Sequence, residues 1–95
     1  ILFRVLEIGA GCGLPGISIS KLSLLSRDEE NDIIGPHSVL LTDVKEPTIE
    51  LLRRNISLNK CDSIASASLL DWTIKPIEVS NVPYDLIIAS EVELR

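Results

Sequence analysis

The stretch Phe3-Arg4-Val5-Leu6-Glu7-Ile8-Gly9-Ala10-Gly11-Cys12-Gly13-Leu14-Pro15-Gly16 decides the fold. Residues 3–8 form a short apolar run that stops at glycines, the pattern of a strand buried on both faces. Four glycines and Pro15 between positions 9 and 16 turn the chain sharply. Pro15 suits the first turn of a helix, where its missing N–H costs nothing. A glycine turn after a buried strand usually opens a helix, here expected over residues 15–25. The local signal is poor, because Ile17-Ser18-Ile19-Ser20 alternates with the period of a strand. Leu14, Ser18, Leu22 and Leu25 nevertheless fall near one helical face.

Working outward, residues 26–38 are polar, carry Asp28, Glu29, Glu30 and Asp32, and end near Gly35-Pro36. That is long for a connection in an α/β unit and reads as a solvated insertion. His37 within it reads as a surface histidine. Val39-Leu40-Leu41-Thr42-Asp43 is a second buried-type strand that ends on an acid. Pro47 to Asn59 is the clearest helix. Ile49, Leu52 and Ile56 share one face, with Leu51 and Leu58 beside them, and Asn59 is a natural stop. Glu50 stands four residues before Arg54, the spacing of a helical ion pair. A weaker strand fits residues 64–70, followed by Asp71-Trp72. Pro76 and Pro83 leave little room for a helix between, and Tyr84 to Ser90 is a fourth buried-type strand. Strand, helix, strand, helix, strand, strand with these patterns gives an α/β fold with a doubly wound parallel sheet.

Composition bounds the function. The chain has 95 residues with 9 basic and 14 acidic side chains, a formal net charge of −5, which argues against broad binding to nucleic-acid backbone. Hydrophobic residues at 45% exclude a disordered tail. No apolar run approaches the ~20 residues of a membrane span. Cys12 and Cys61 lie 49 residues apart, in no metal or redox spacing, and read as reduced, buried thiols of the cytosol or nucleus. With no Met and an apolar start at Ile1, the chain is expected to be an excerpt of a longer product.

In such sheets ligands bind beyond the carboxyl ends of the strands. Glu7-x-Gly9-x-Gly11-x-Gly13, Asp43, Asp71-Trp72 and Ser90-Glu91 all fall at those ends. Gly11-Cys12-Gly13-Leu14-Pro15-Gly16 formally fits the dinucleotide pattern, but Gly9-Ala10 separate it from the strand. Asp43 lies 30 residues beyond Gly13, against a usual spacing of about 20. Glu7 would also stand near a diphosphate, a repulsion of about 1 kcal/mol or more at an effective dielectric of ~20. A cationic ligand without phosphate reverses that sign, and S-adenosylmethionine is such a ligand. The glycine turn would pack on its methionine and ribose, with Glu7 on the ammonium side. Asp43 would accept from both ribose hydroxyls and Asp71 from the adenine amino group, while Trp72 offers a flat apolar face. Each acid and Trp72 also has a plain reading, as a helix-terminal charge, a turn residue or ordinary packing. No metal set is signalled.

Val5 to Ile17, Leu41-Thr42-Asp43, Leu51 to Asn59, Leu70-Asp71-Trp72 and Tyr84 to Glu91 together resemble class I, seven-stranded S-adenosylmethionine-dependent methyltransferases. More narrowly they resemble the methyltransferase-like protein-lysine methyltransferase group. The resemblance implies cofactor contacts at Gly9, Ala10, Gly11, Asp43, Trp72 and Ser90, and a strand order of 3-2-1-4. It makes residues 1–95 the N-terminal half of a Rossmann-like methyltransferase domain, with the polar insertion at 26–38. That group usually has an acid, two residues and then Tyr or Phe after its fourth strand. Glu91 supplies the acid and is the one catalytic candidate, but position 94 is Leu. The expected activity is methyl transfer to a protein lysine, and the alternative is a cofactor-binding remnant or interaction module without catalysis. Leu86-Ile87-Ile88 would then form an apolar edge open to self-association.

Overall fold

The computed structural model describes residues 3–25, 35–71 and 84–89. Trp72, Ser90, Glu91, the prolines at 76 and 83, and most of the polar insertion lie outside the described residues. The elements run β1 (Arg4–Ile8), α1 (Leu14–Leu25), β2 (Ser38–Asp43), α2 (Glu46–Leu58), β3 (Ala65–Leu69) and β4 (Leu86–Ala89). All paired strands are parallel, and the sheet order is β3-β2-β1-β4, as the resemblance implied. The chain steps from β1 outward to β3 and then returns to the far side of β1. The order therefore reverses between β1 and β4, where open α/β sheets place their ligand crevice.

Both helices lie on one face. Ile17 of α1 and Ile49, Leu52 and Ile56 of α2 pack with Val5, Val39, Leu41 and Ala65 in one cluster. Two right-handed crossovers stepping in the same direction must put their helices on the same side. The neighbouring strand residues point the other way, and Leu6, Ile8 and Leu70 form a second cluster with Leu40 and Tyr84 against it. Leu6, Leu41, Ile49 and Leu52 are fully buried, each worth about 1.5–3 kcal/mol of transfer free energy.

Leu14, Ser18, Leu22 and Leu25 do share a face of α1, and it is the solvent side. Leu14, Leu22 and Leu25 are 70%, 62% and 74% exposed, and Ser18 is exposed with them. The inner face is Gly16, Ile17, Ser20 and Ser23. Small side chains let the helix approach the sheet, and their hydroxyls are satisfied locally. Ser20 Oγ donates to the Gly16 carbonyl (2.8 Å) and Ser23 Oγ to the Pro36 carbonyl (2.9 Å). Three of the four leucines of this helix lie on its outer face, so apolar periodicity points to the wrong side.

β4 differs from its expected burial. Leu86 and Ile87 are 43% and 50% exposed, because the helices stand over β2 and β3, and among the described residues only β1 flanks β4. On α2 the pair is Glu50 with Arg53 (3.1 Å), one residue short of the expected Arg54; both side chains are exposed and the pair adds little.

α2 closes on Asn59, as its sequence indicates, through a Schellman motif. Lys60 N–H donates to the Ser57 carbonyl (3.0 Å) and Cys61 N–H to the Ile56 carbonyl (3.0 Å). Cys61 and Ile56, the two residues that usually make the accompanying apolar contact, share the core cluster. Lys60 holds the left-handed position with φ 56°, where glycine is usual. Burial pushes the Cys61 thiol above its ordinary pKa, while Lys21 pulls it down.

Gly16→Ala should destabilise the protein by roughly 1–3 kcal/mol in urea unfolding. Its new Cβ would stand 2.6 Å from Glu7 Oε1 and 2.8 Å from Leu41 Cδ2. Lys60→Gly should raise stability by about 0.5–1 kcal/mol in the same measurement, by relieving the left-handed backbone. Of the two thiols expected to be buried, only Cys61 is; Cys12 is exposed at the glycine turn, so iodoacetamide at pH 8 should label Cys12 and should reach Cys61 only after denaturation. Equal labelling of both thiols in the native protein would contradict the core described.

Candidate functional site

The site begins where β1 ends. Gly9 and Gly11 have φ values of 67° and 58°, which favour glycine and let the chain double back over the strand tips. Gly13 N–H donates to the Ala10 carbonyl (2.8 Å), closing a four-residue turn over Ala10, Gly11, Cys12 and Gly13. Of its two central residues, Gly11 and Cys12, only the first has positive φ, which is the pattern of a type II′ turn. The turn delivers the chain into α1, whose first residue is Leu14.

Three other elements hold this turn. From β2, the Thr42 carbonyl accepts from Ala10 N–H (2.9 Å), and Thr42 Oγ1 donates to the Glu7 carbonyl (2.8 Å). Asp43 stands next, at the strand tip. Its Oδ2 accepts from Gly11 N–H (3.0 Å) and its Oδ1 from Val44 N–H (2.7 Å). From α2, Asn55 Nδ2 donates to the Cys12 carbonyl (2.9 Å). From β1 itself, Glu7 reaches up on the helix face, fully buried, and its Oε1 accepts from Gly16 N–H (3.0 Å) in the first turn of α1. The helix N-terminus carries orphan donors and partial positive charge, so a carboxylate there is favourably placed.

Of the residues singled out from the sequence, Gly9, Ala10, Gly11 and Asp43 come together at the adjacent tips of β1 and β2. Asp71 stands at the neighbouring tip of β3, half-buried, one residue after Leu70, whose N–H donates to the Asp43 carbonyl (2.9 Å). Gly13 and Glu7 take supporting positions. A Cβ on Gly13 would stand 2.7 Å from Leu52 Cδ2 and 2.9 Å from Ile17 Cδ1, so packing against both helices requires the glycine. Glu7 is sealed beneath α1 by the contact with Gly16. Asn55 and Thr42 were not foreseen as site residues. Sequence inspection shows Asn55 only as a polar residue within an amphipathic helix, and its partner is 43 residues away.

The acceptors at these tips are the Asp43 and Asp71 carboxylates, and their charge suits hydroxyl, amino or cationic groups better than a diphosphate. Both oxygens of Asp43 hold one backbone donor and retain further lone pairs for a ligand. Among the described residues no group of three His, Cys, Asp or Glu side chains could hold a metal ion. No helix among them is long and apolar enough to cross a membrane.

Known proteins resemble this chain in sequence and in fold. In Saccharomyces cerevisiae, protein-lysine N-methyltransferase EFM2 is 38% identical over 71 residues, covering 74% of this chain and 15% of the yeast protein. The solved structure of YcgJ from Bacillus subtilis superposes with a TM-score of 0.68 at 16% identity, over 93% of this chain and 31% of its own. PKMT2 from Rickettsia typhi, solved in complex with AdoHcy, gives a TM-score of 0.65 at 22% identity, over 92% of this chain and 14% of its own. The chain thus spans only about a seventh to a third of the length of these proteins. A family model described as lysine methyltransferase matches residues 2–93 and so takes in the glycine turn, Asp43 and the whole sheet. On that match the chain belongs to the lysine methyltransferase family.

Proposed function

We propose that this chain is the cofactor-binding part of a protein-lysine methyltransferase and that it holds S-adenosylmethionine at the carboxyl tips of the strands, around the glycine turn that follows β1. The observation that carries this is the junction of the glycine turn with Asp43 at the adjacent tips of β1 and β2, next to the point where the strand order reverses. Family membership supports the same activity. The fit rests on chemistry already described: a turn whose backbone can lie close to a ligand, flanked by acceptors.

Each residue then has a role. Gly9, Ala10 and Gly11 present backbone to the methionine and ribose portion without intervening bulk. Asp43 accepts from the two ribose hydroxyls through the lone pairs that its backbone donors leave free, a charge-assisted bidentate contact. Asp71 accepts from the adenine amino group, and Trp72 supplies a flat face for the ring. The family resemblance adds a cofactor contact at Ser90. Glu7 and Gly13 support the turn from the helix side. When bound, S-adenosylmethionine supplies a methyl group already activated on sulfonium sulfur. The protein's contribution is to fix the geometry of approach and to exclude water. A lysine acceptor, with an ordinary pKa near ~10.4, must shed a proton before it can attack. Glu91, one residue past Ser90, is the group proposed to help there.

Calorimetry on the full-length protein tests the reading directly. S-adenosylmethionine should bind and NAD should not, and the reverse result would end the assignment. Asp43→Ala should weaken S-adenosylmethionine roughly ten- to a hundredfold, the loss of one or two charge-assisted hydrogen bonds. Unchanged affinity in that variant would remove Asp43 from the ribose site.

A further inference from the structure

We propose that Asn55 is a positioning residue for the adenosyl cofactor, acting from α2 on the far side of the glycine turn. The inference rests on the cofactor reading above and adds to it a residue that touches no ligand. Asn55 Nδ2 donates to the Cys12 carbonyl at 2.9 Å. The N–H of the same peptide unit, that of Gly13, donates to the Ala10 carbonyl at 2.8 Å. The Cys12–Gly13 peptide is therefore tied at both ends, once by the turn and once by a side chain from another element.

α2 meets the turn at a second point. Leu52, three residues before Asn55 and on the same face, stands against Gly13, where any Cβ would collide with it at 2.7 Å. Leu52 and Ile56 anchor the helix in the core, so the amide between them is held at a fixed height. An asparagine inside a helix is a poor choice for helix formation itself, because its side chain competes for backbone groups. Here Asn55 sends its amide outward, and its own carbonyl accepts from both the N–H (3.1 Å) and the side chain (2.8 Å) of Asn59.

The consequence falls on ligand binding. Gly9, Gly11 and Gly13 all have positive φ, and glycines released from such contacts sample a wide range of conformations. β2 fixes the near end of the turn through Thr42 and Asp43, while Asn55 alone among the described side chains hydrogen-bonds its exposed crest at Cys12. Losing that donor leaves a turn that the cofactor must order as it binds, which weakens affinity without removing any ligand contact.

The test separates donor from shape in the full-length protein, with S-adenosylhomocysteine as the calorimetric probe. Asn55→Asp keeps the side-chain size but offers a carboxylate to the Cys12 carbonyl, and should bind about tenfold more weakly than wild type. Asn55→Gln keeps an amide donor on a longer arm and should stay within about threefold of wild type. Ser57→Ala, which removes only the Ser57–Asp62 hydrogen bond on the same helix, should leave affinity unchanged. Asn55→Asp binding as tightly as wild type, or more tightly than Asn55→Gln, overturns the inference and leaves the cofactor reading standing. Should Asn55→Asp not fold, Asn55→Ala carries the same expectation, and loss of the fold in both makes Asn55 a folding residue and refutes the inference. Failure of wild type to bind the probe sinks the cofactor reading and this inference together.

Discussion

A carboxylate buried in the middle of an apolar strand has to be met by donors, and Glu7 is met by the N–H of Gly16 at the start of α1. Leaving such a group without partners would cost several kcal/mol, more than a small domain can readily spare. The contact fixes the height at which α1 begins and so the length of chain available to turn between strand and helix. It also dictates Gly16, since a methyl group there would collide with the carboxylate and with Leu41. The small residues Ser20 and Ser23 continue the same inner face of α1.

The turn held in place by this contact is reached by a second carboxylate from the side. Asp43 ends β2 in register with the β1 tip, and parallel pairing of Glu7 with Leu41 brings its Oδ2 to Gly11 N–H. Acids at positions 7 and 43 thus perform related tasks, each using one oxygen to hold a backbone N–H of the glycine segment. Their surroundings separate their further uses. Glu7 is closed off by α1, while Asp43 stands half-buried at the strand tip.

Much of this was legible in the sequence, because the informative features were local. Apolar runs that stop at glycines or acids located the strands, and Ile49, Leu52 and Ile56 located α2 and its inner face. The motif order, through the resemblance, supplied the sheet order. What stayed hidden depended on contacts between distant segments. The inner face of α1 is built from its smallest residues, and a search for apolar periodicity selects the opposite side. The hold of Asn55 on Cys12 joins residues 43 apart, and no local pattern announces it. Lys60 in a left-handed cap was invisible for a different reason: the signature of that cap is glycine, and here the hydrogen bonds form without it. β4 has the composition of a buried strand, but its neighbours set its burial.

The site is therefore an arrangement of backbone more than of side chains, and that bears on how it can work. A glycine-rich turn free in solution would lose much conformational entropy on gripping a ligand. In this fold that ordering has already occurred. Ala10, Gly11 and Gly13 N–H groups and the Ala10 and Cys12 carbonyls all have protein partners before any ligand arrives. Strand pairing, a carboxylate, an amide and the turn's own hydrogen bond divide the task, so none has to be strong individually. Substitutions that leave every ligand-facing atom in place can then still weaken binding, because they return to the turn the freedom that folding removed.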